Sequence, residues 1–350
     1  MSPPWHPGRL AARLPFLRRR ARLAADIRAV LGSRGYMEVE TPVLQPCPGM
    51  EPHLDPFATR YAAKLGPSEQ GGARDLFLQF SPEFAMKKLL AGGSGPIFQF
   101  ARVFRNGEAG PNHQPEFTML EWYGPGLTLD GLMDETEALV RAVVPEGLRS
   151  PTLAVPTDRR FERLTVADAF RLHCGGLDIL ATAPDPLVPD VGLLAAAAAP
   201  LGVAHRPGET WQDLFFRLLL DRIEPAIGRE RPTFLTHWPA SEAALSRRDA
   251  HDPRVALRFE LFAAGLELAN AYEELTDAAE QRVRFAAWAA ERKAMTGEAR
   301  AVDEEFLAAL DHGLPPCAGI AMGFDRLAML ASGTGRIGDV LWLPVVPSGA

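Results

Sequence analysis

Apolar and polar side chains alternate from Ile97 to Phe104, around Phe98, Phe100 and Phe104, and an apolar, aromatic-rich run resumes over residues 117–123. A period of two belongs to strands, so FQFARVFRNGEAGPNHQPEFTMLEWY reads as two strands joined by a polar loop. Gly107, Gly110, Pro111 and Asn112 cannot continue a ladder, which predicts a reversal and an antiparallel pair. Upstream, Leu17, Leu23, Ile27, Val30 and Leu31 recur at helical spacing and predict a helix over about residues 15–31, with Pro15 in its first turn. A short strand follows over 36–44, halted by Pro42. Residues 46–75 are loop-rich, with Pro46, Pro48, Pro52, Pro56, Pro67 and a Gly71-Gly72 pair. Residues 76–80 predict a buried strand, and Ser81-Pro82 caps a helix over 84–91 that Gly92-Gly93 ends.

Beyond the hairpin, residues 129–144 predict a helix and 145–156 a connection. From about 164 to 230 the pattern turns helical and Ala/Leu-rich, clearest at 211–223, and reads as a helical insertion between strand-forming segments. Strands return at 232–238, 254–265 and 266–275, followed by helices at 278–295 and 303–311. A small-residue strand over 318–322 then leads through Gly323 into a helix with Arg326 in its first turn.

With 350 residues and 47% hydrophobic content the chain can bury a large core, as one α+β domain with an insertion. The net charge of −7 leaves no overall basic field for a polyanion, so tRNA is not an expected partner. Cys47, Cys174 and Cys317 lack metal-ligand spacing and are expected to be reduced. Arg18, Arg19, Arg20 and Arg22 precede no apolar run of a signal peptide, and the Ala-rich stretch 191–204 is broken by Pro200. A cytoplasmic protein with no membrane contact is expected.

Arg105, at the end of the first hairpin strand, can offer a planar fork to a phosphate or carboxylate, while Glu116, Glu121 and Tyr123 lie on the returning strand. Glu267 and Glu274 bracket Asn270 and Tyr272 at a spacing that puts them on opposite faces of a regular strand. A bulge or a strand end must intervene if both serve one site. Arg326 opposes the dipole of its helix, which points to an anion there. Taken singly, each reads more readily as solvated surface. No phosphate loop, HExxH pair or GxSxG elbow is present. What remains is a constellation for a nucleoside triphosphate and a cationic small molecule.

Residues 34–44, 98–123 and 318–331 resemble, in order, motifs 1, 2 and 3 of the class II aminoacyl-tRNA synthetases. PEFTMLEWY and ELAN-x-x-EEL are most similar to the lysyl branch. The chain begins at the helix before motif 1, without the anticodon-binding domain of lysyl-tRNA synthetases, and so resembles the elongation factor P lysine ligase family. That resemblance implies an α+β fold, an antiparallel sheet of six or seven strands flanked by helices, in a homodimer built on motif 1. It implies ATP and Mg²⁺ as cofactors, (R)-β-lysine or lysine as substrate, and elongation factor P as acceptor. A truncated lysyl-tRNA synthetase and a non-catalytic paralogue remain the alternatives.

By the same resemblance Arg105 bridges the α-phosphate and the substrate carboxylate, Arg326 holds the γ-phosphate, Phe117 stacks on adenine, and His113 lies near the triphosphate. Asn106, Gly107, Glu108, Gln114, Leu268 and Gly323 complete the nucleotide site, and Glu267 with Glu274 forms the Mg²⁺ pair. Motif 2 departs from the usual Arg-x-Glu, having Gly107 and then Glu108, and Gln114 stands where Asn or His is commoner. Ser81, Glu83, Glu121, Tyr123, Asn270, Tyr272 and Glu274 are the implied substrate contacts. Ala321, where lysyl-tRNA synthetases commonly have glycine, is implied to favour the β-amino isomer.

Overall fold

The computed structural model describes residues 3–62, 73–298 and 300–346; Pro67 and the Gly71-Gly72 pair lie outside them. Helix α1 (Pro7–Ser33) starts two turns before the expected point, with Pro7 at its head and Pro15 inside it. The early turns are fastened by tertiary contacts: Arg13 Nη1 donates to the carbonyls of Gly338 and Leu341, each at 2.9 Å. Leu17, Leu23, Ile27 and Leu31 form its buried stripe.

The segment expected as one strand splits into β1 (Met37–Glu38) and β2 (Leu44–Gln45), which join different sheets. Pro42, lacking an N–H, stands between them. β2, β3 (Ala58–Ala62) and β4 (Ala73–Leu78) make a small sheet, so the strand expected buried over 76–80 begins earlier and is half exposed, with Phe80 buried beyond its end. Helix α2 (Glu83–Ala91) starts with Ser81 Oγ accepting from Glu83 N at 3.0 Å.

The hairpin forms as expected: β5 (Ile97–Phe104) pairs antiparallel with β6 (Glu116–Pro125). Helix α3 (Leu129–Val143) and a small hairpin, β7 (Leu148–Arg149) with β8 (Ala154–Val155), precede edge strand β9 (Glu162–Thr165). The helical stretch contains α4 (Val166–His173), α5 (Val191–Ala198) and α6 (Trp211–Leu218), whose Trp211, Leu214, Phe215 and Leu218 join a core of their own around Phe170 and Trp238. Strands β10 (Thr233–Pro239), β11 (Val255–Ala263) and β12 (Leu266–Glu273) follow, then α7 (Ala278–Thr296), α8 (Glu304–Gly313), β13 (Cys317–Gly323), α9 (Phe324–Ser332) and α10 (Ile337–Val340).

The main sheet runs β1-β5-β6-β13-β12-β11-β10-β9. Its middle six strands are antiparallel, while β1 and β9 pair parallel at the two edges, so the sheet is eight-stranded and mixed rather than purely antiparallel. Asp325 fixes the start of α9 to the sheet, accepting from Arg20 Nη2 at 2.6 Å and from Thr118 N at 2.7 Å. That clamp holds the neighbouring Arg326 over β12 and β13. Among the described residues no helix is long and apolar enough to cross a membrane.

Candidate active site

A cavity of about 460 Å³ opens on the face formed by β6, β12 and β13, and its two ends carry opposite charge. At one end Ser81, Glu83, Tyr123, Gly319 and Ala321 form the wall. The carboxyl of Glu121 lies behind them, fully buried, and accepts from Ser81 Oγ at 2.5 Å and from Tyr123 Oη at 2.8 Å. Burial, reinforced by the nearby Glu83, pushes it up to about 8. Lys87 is buried between Glu83 and Glu274, 2.5 Å from each carboxylate, and its ammonium is held charged by them. Glu274 is likewise pushed up to about 8 by burial, against the pull of Lys87.

Glycine is required where this wall is thinnest. A Cβ on Gly319 would stand 2.1 Å from the Tyr123 ring and 2.8 Å from Glu274 Oε1, so its absence lets ring and carboxylate close on the cavity. Across the ladder Ala321 faces Glu121 on one side and Asn270 on the other. Asn270 is oriented by Arg258, whose Nε donates to Asn270 Oδ1 at 3.0 Å, and it donates in turn to Tyr272 Oη at 2.8 Å.

The other end is cationic and more open. Arg105 stands over the Phe117 ring, 5.3 Å from its centroid, and 3.6 Å from Glu108. Arg326 donates to the Glu267 carbonyl at 2.9 Å and to His113 Nε2 at 2.7 Å. Burial and the adjacent Arg326 lower the His113 pKa, so the imidazole is neutral with its proton on Nδ1. Gln114, Leu268 and Gly323 also line the cavity, although the Gln114 amide is engaged in both directions with the backbone of Val346. Asn106 and Gly107 do not line it: Asn106 N donates to Asp55 O at 2.9 Å, and Gly107, with φ of +82°, makes the turn.

Glu267 and Glu274 need separate treatment. Both devices demanded by their spacing exist, a bulge at Leu268 opposite Leu261 and Phe262, and a strand end before Glu274. They do not bring the two carboxylates together. Glu267 shares its charged surroundings with Arg326, Glu260 and Glu224, whereas Glu274 is sealed with Lys87, Glu83 and Glu121. The described residues contain no group of three or more His, Cys, Asp and Glu side chains placed to hold a metal by themselves.

Sequence reasoning missed Lys87, Arg258 and Glu51. Lys87 was legible only as a helical partner of Glu83 four residues earlier; its second partner, Glu274, comes from another strand end. Arg258 carried no local signal. Glu51 lies in the loop before β3 and lines the cavity. All three cysteines are free and buried, and burial pushes the Cys47 thiol up to about 11, so none is poised as a nucleophile.

A six-stranded antiparallel centre carrying an arginine on its hairpin and another on the helix after its last strand defines a class. The family model for class II tRNA synthetases (D, K and N) matches residues 11–347, and the chain belongs to that family. Within it the chain belongs with the elongation factor P (R)-β-lysine ligases: it is 42% identical over 343 residues to the "Elongation factor P--(R)-beta-lysine ligase" of Proteus mirabilis (strain HI4320), covering 97% of each chain. Proteins of the same name from Klebsiella pneumoniae (strain 342), 42% identical over 96% of each chain, and Hamiltonella defensa subsp. Acyrthosiphon pisum (strain 5AT), 40% identical over 97%, are similar.

Proposed function

We infer that the protein is an ATP-dependent, AMP-forming ligase that activates (R)-β-lysine as an aminoacyl-adenylate and transfers it to a lysine side chain of translation elongation factor P. The observation that carries this is one cavity with a cationic, arginine-bearing end and a buried carboxylate end, in a chain 42% identical along nearly its whole length to ligases of that name.

The substrate carboxylate attacks the α-phosphorus of ATP, the bond to pyrophosphate breaks, and the acceptor amine later displaces AMP from the carbonyl carbon. Arg105 bridges the α-phosphate and the carboxylate, and Arg326 holds the γ-phosphate, both by charge-assisted hydrogen bonds. Phe117 supports the adenine, and the neutral His113 can donate to the triphosphate without adding charge. Glu83 and Tyr123, with Glu121 and Glu274 behind them, accept the two substrate ammonium groups that leave water. Mg²⁺, which binds through one or two carboxylates plus phosphate oxygens, would neutralise charge on the triphosphate. Glu267 fits that demand, being 41% exposed beside Arg326; Glu274, sealed with Lys87, does not. The protein works as a homodimer through motif 1, in the cytoplasm, and charges tRNA poorly.

Intact-mass spectrometry of elongation factor P and of tRNA, after incubation with ATP and each lysine isomer, tests the reading. A β-lysyl mass shift on the protein is expected. Efficient tRNA charging with no shift on the protein would overturn it in favour of a synthetase.

A further inference from the structure

The loop before β3 carries a carboxyl that none of the roles above employs. Glu51 Oε2 is buried and has no hydrogen-bond partner, yet Glu51 lines the cavity beside Ser81, Glu83, Arg105 and Tyr272. An unpartnered buried carboxylate oxygen is costly, and natural sites retain one chiefly where chemistry uses it. Its position is constructed rather than incidental. Arg300 donates to three carbonyls of the loop, Gly49, Glu51 and Leu54, at 2.8 to 3.3 Å, and Arg292 Nη1 donates to Pro52 O at 3.0 Å. Gly49 has φ of +133°, and a Cβ there would stand 2.6 Å from Glu51 Oε2 and 2.9 Å from the Phe80 ring. Two arginines and one glycine therefore fix the loop that carries this carboxyl to the edge of the cavity.

Transfer needs a group that the activation step does not. The acceptor lysine arrives as an ammonium, and only its neutral amine can attack. Resting on the acceptor reading above, we propose that Glu51 is the proton acceptor of the transfer step. The acceptor ammonium gives one N–H proton to the Glu51 carboxylate, and the freed lone pair forms the C–N bond at the carbonyl carbon. The bond from that carbon to the phosphate oxygen breaks with its electron pair going to AMP. The second N–H proton leaves to solvent, and Glu51 returns its own to water. Arg105, which the reading above assigns to the carboxylate and α-phosphate, lines the same cavity and is a charged neighbour of Glu51. Burial and Glu83 raise the Glu51 pKa while a bond from its own backbone N–H, Arg105 and Arg300 oppose them; Cys47 and Tyr272 are further titratable neighbours. A carboxylate raised in this way is a better base than one in water.

The test separates the half-reactions in the Glu51→Gln variant. Three rates are measured: ATP–pyrophosphate exchange, trapping of the adenylate by hydroxylamine, a nucleophile already neutral near pH 7.5, and transfer to elongation factor P. Transfer to the protein is expected to fall about 10²-fold more than exchange or hydroxamate formation. It should recover as pH rises and the acceptor amine loses its proton unaided. Equal losses in all three rates, or transfer as fast as in the unsubstituted enzyme, would overturn the proposal alone. An unsubstituted enzyme that makes hydroxamate but leaves elongation factor P unmodified would overturn the acceptor reading, and the proposal with it.

Discussion

The two ends of the cavity handle charge in opposite ways. At the carboxylate end Glu121, Glu274 and Lys87 are almost fully buried and hydrogen-bonded or ion-paired within the chain. At the cationic end Arg105 and Arg326 keep 29% and 23% of their side chains exposed, and their carboxylate partners are loose, Glu108 at 3.6 Å and Glu267 at 3.7 Å, although Arg326 also donates to the Glu267 carbonyl and to His113. The buried end is preorganised, and an ammonium entering a low-dielectric site is retained only where acceptors already stand. The open end suits a highly charged, well-hydrated triphosphate that must enter and leave. Under the proposed function, selectivity resides on the sheet, and turnover on the hairpin loop and the helix end.

The largest break in this contrast should come from removing charge at the open end. Arg326→Ala and Glu267→Ala should each cut ATP–pyrophosphate exchange by about 10²- to 10³-fold while the fold persists, since both residues are partly solvated. Normal exchange with an unchanged far-ultraviolet spectrum would remove the nucleotide role. Gly319→Ala attacks the buried end, where a methyl group 2.1 Å from the Tyr123 ring must displace it. It should lower stability by about 1–3 kcal/mol and raise KM for the amino acid more than KM for ATP, as thermal melts and two-substrate kinetics will show.

A smaller effect is expected from pH. Glu121 is pushed up to about 8 in the folded protein, above the ordinary carboxylate range, so near neutral pH the native state holds a proton that the unfolded chain has released. Stability without substrate should fall as pH rises from about 4.3 toward 8. Substrate ammonium groups demand the ionised form, so diamino-acid binding should release protons and tighten between pH 6.5 and about 8.5. Calorimetry in buffers of different ionisation enthalpy reads this directly; proton uptake would contradict it. The smallest expected change is Ala321→Gly, which removes one methyl from the wall facing Glu121 and Asn270. It should shift the ratio of kcat/KM toward α-lysine by about 1–3 kcal/mol, and competing activation assays with both isomers would show an unchanged ratio if selectivity arises elsewhere.

Local pattern was enough for most elements. The period of two over Ile97–Phe104 and the glycines and proline after it specify the β5–β6 hairpin, because alternation and turn chemistry act between neighbours in the chain. Arg105 at the strand end and Arg326 in the first turn of α9 could be placed for the same reason. Tertiary structure decided what depends on distant segments meeting. It carried α1 back past Pro15 through Arg13 and the carbonyls of residues 338 and 341, and it put β1 and β9 parallel at the sheet edges. It also parted Glu267 from Glu274, buried Lys87 between Glu83 and Glu274, and set Glu51 against the cavity. A buried charge is defined by every group that shares its low-dielectric surroundings, and those groups come from parts of the chain that sequence spacing does not relate.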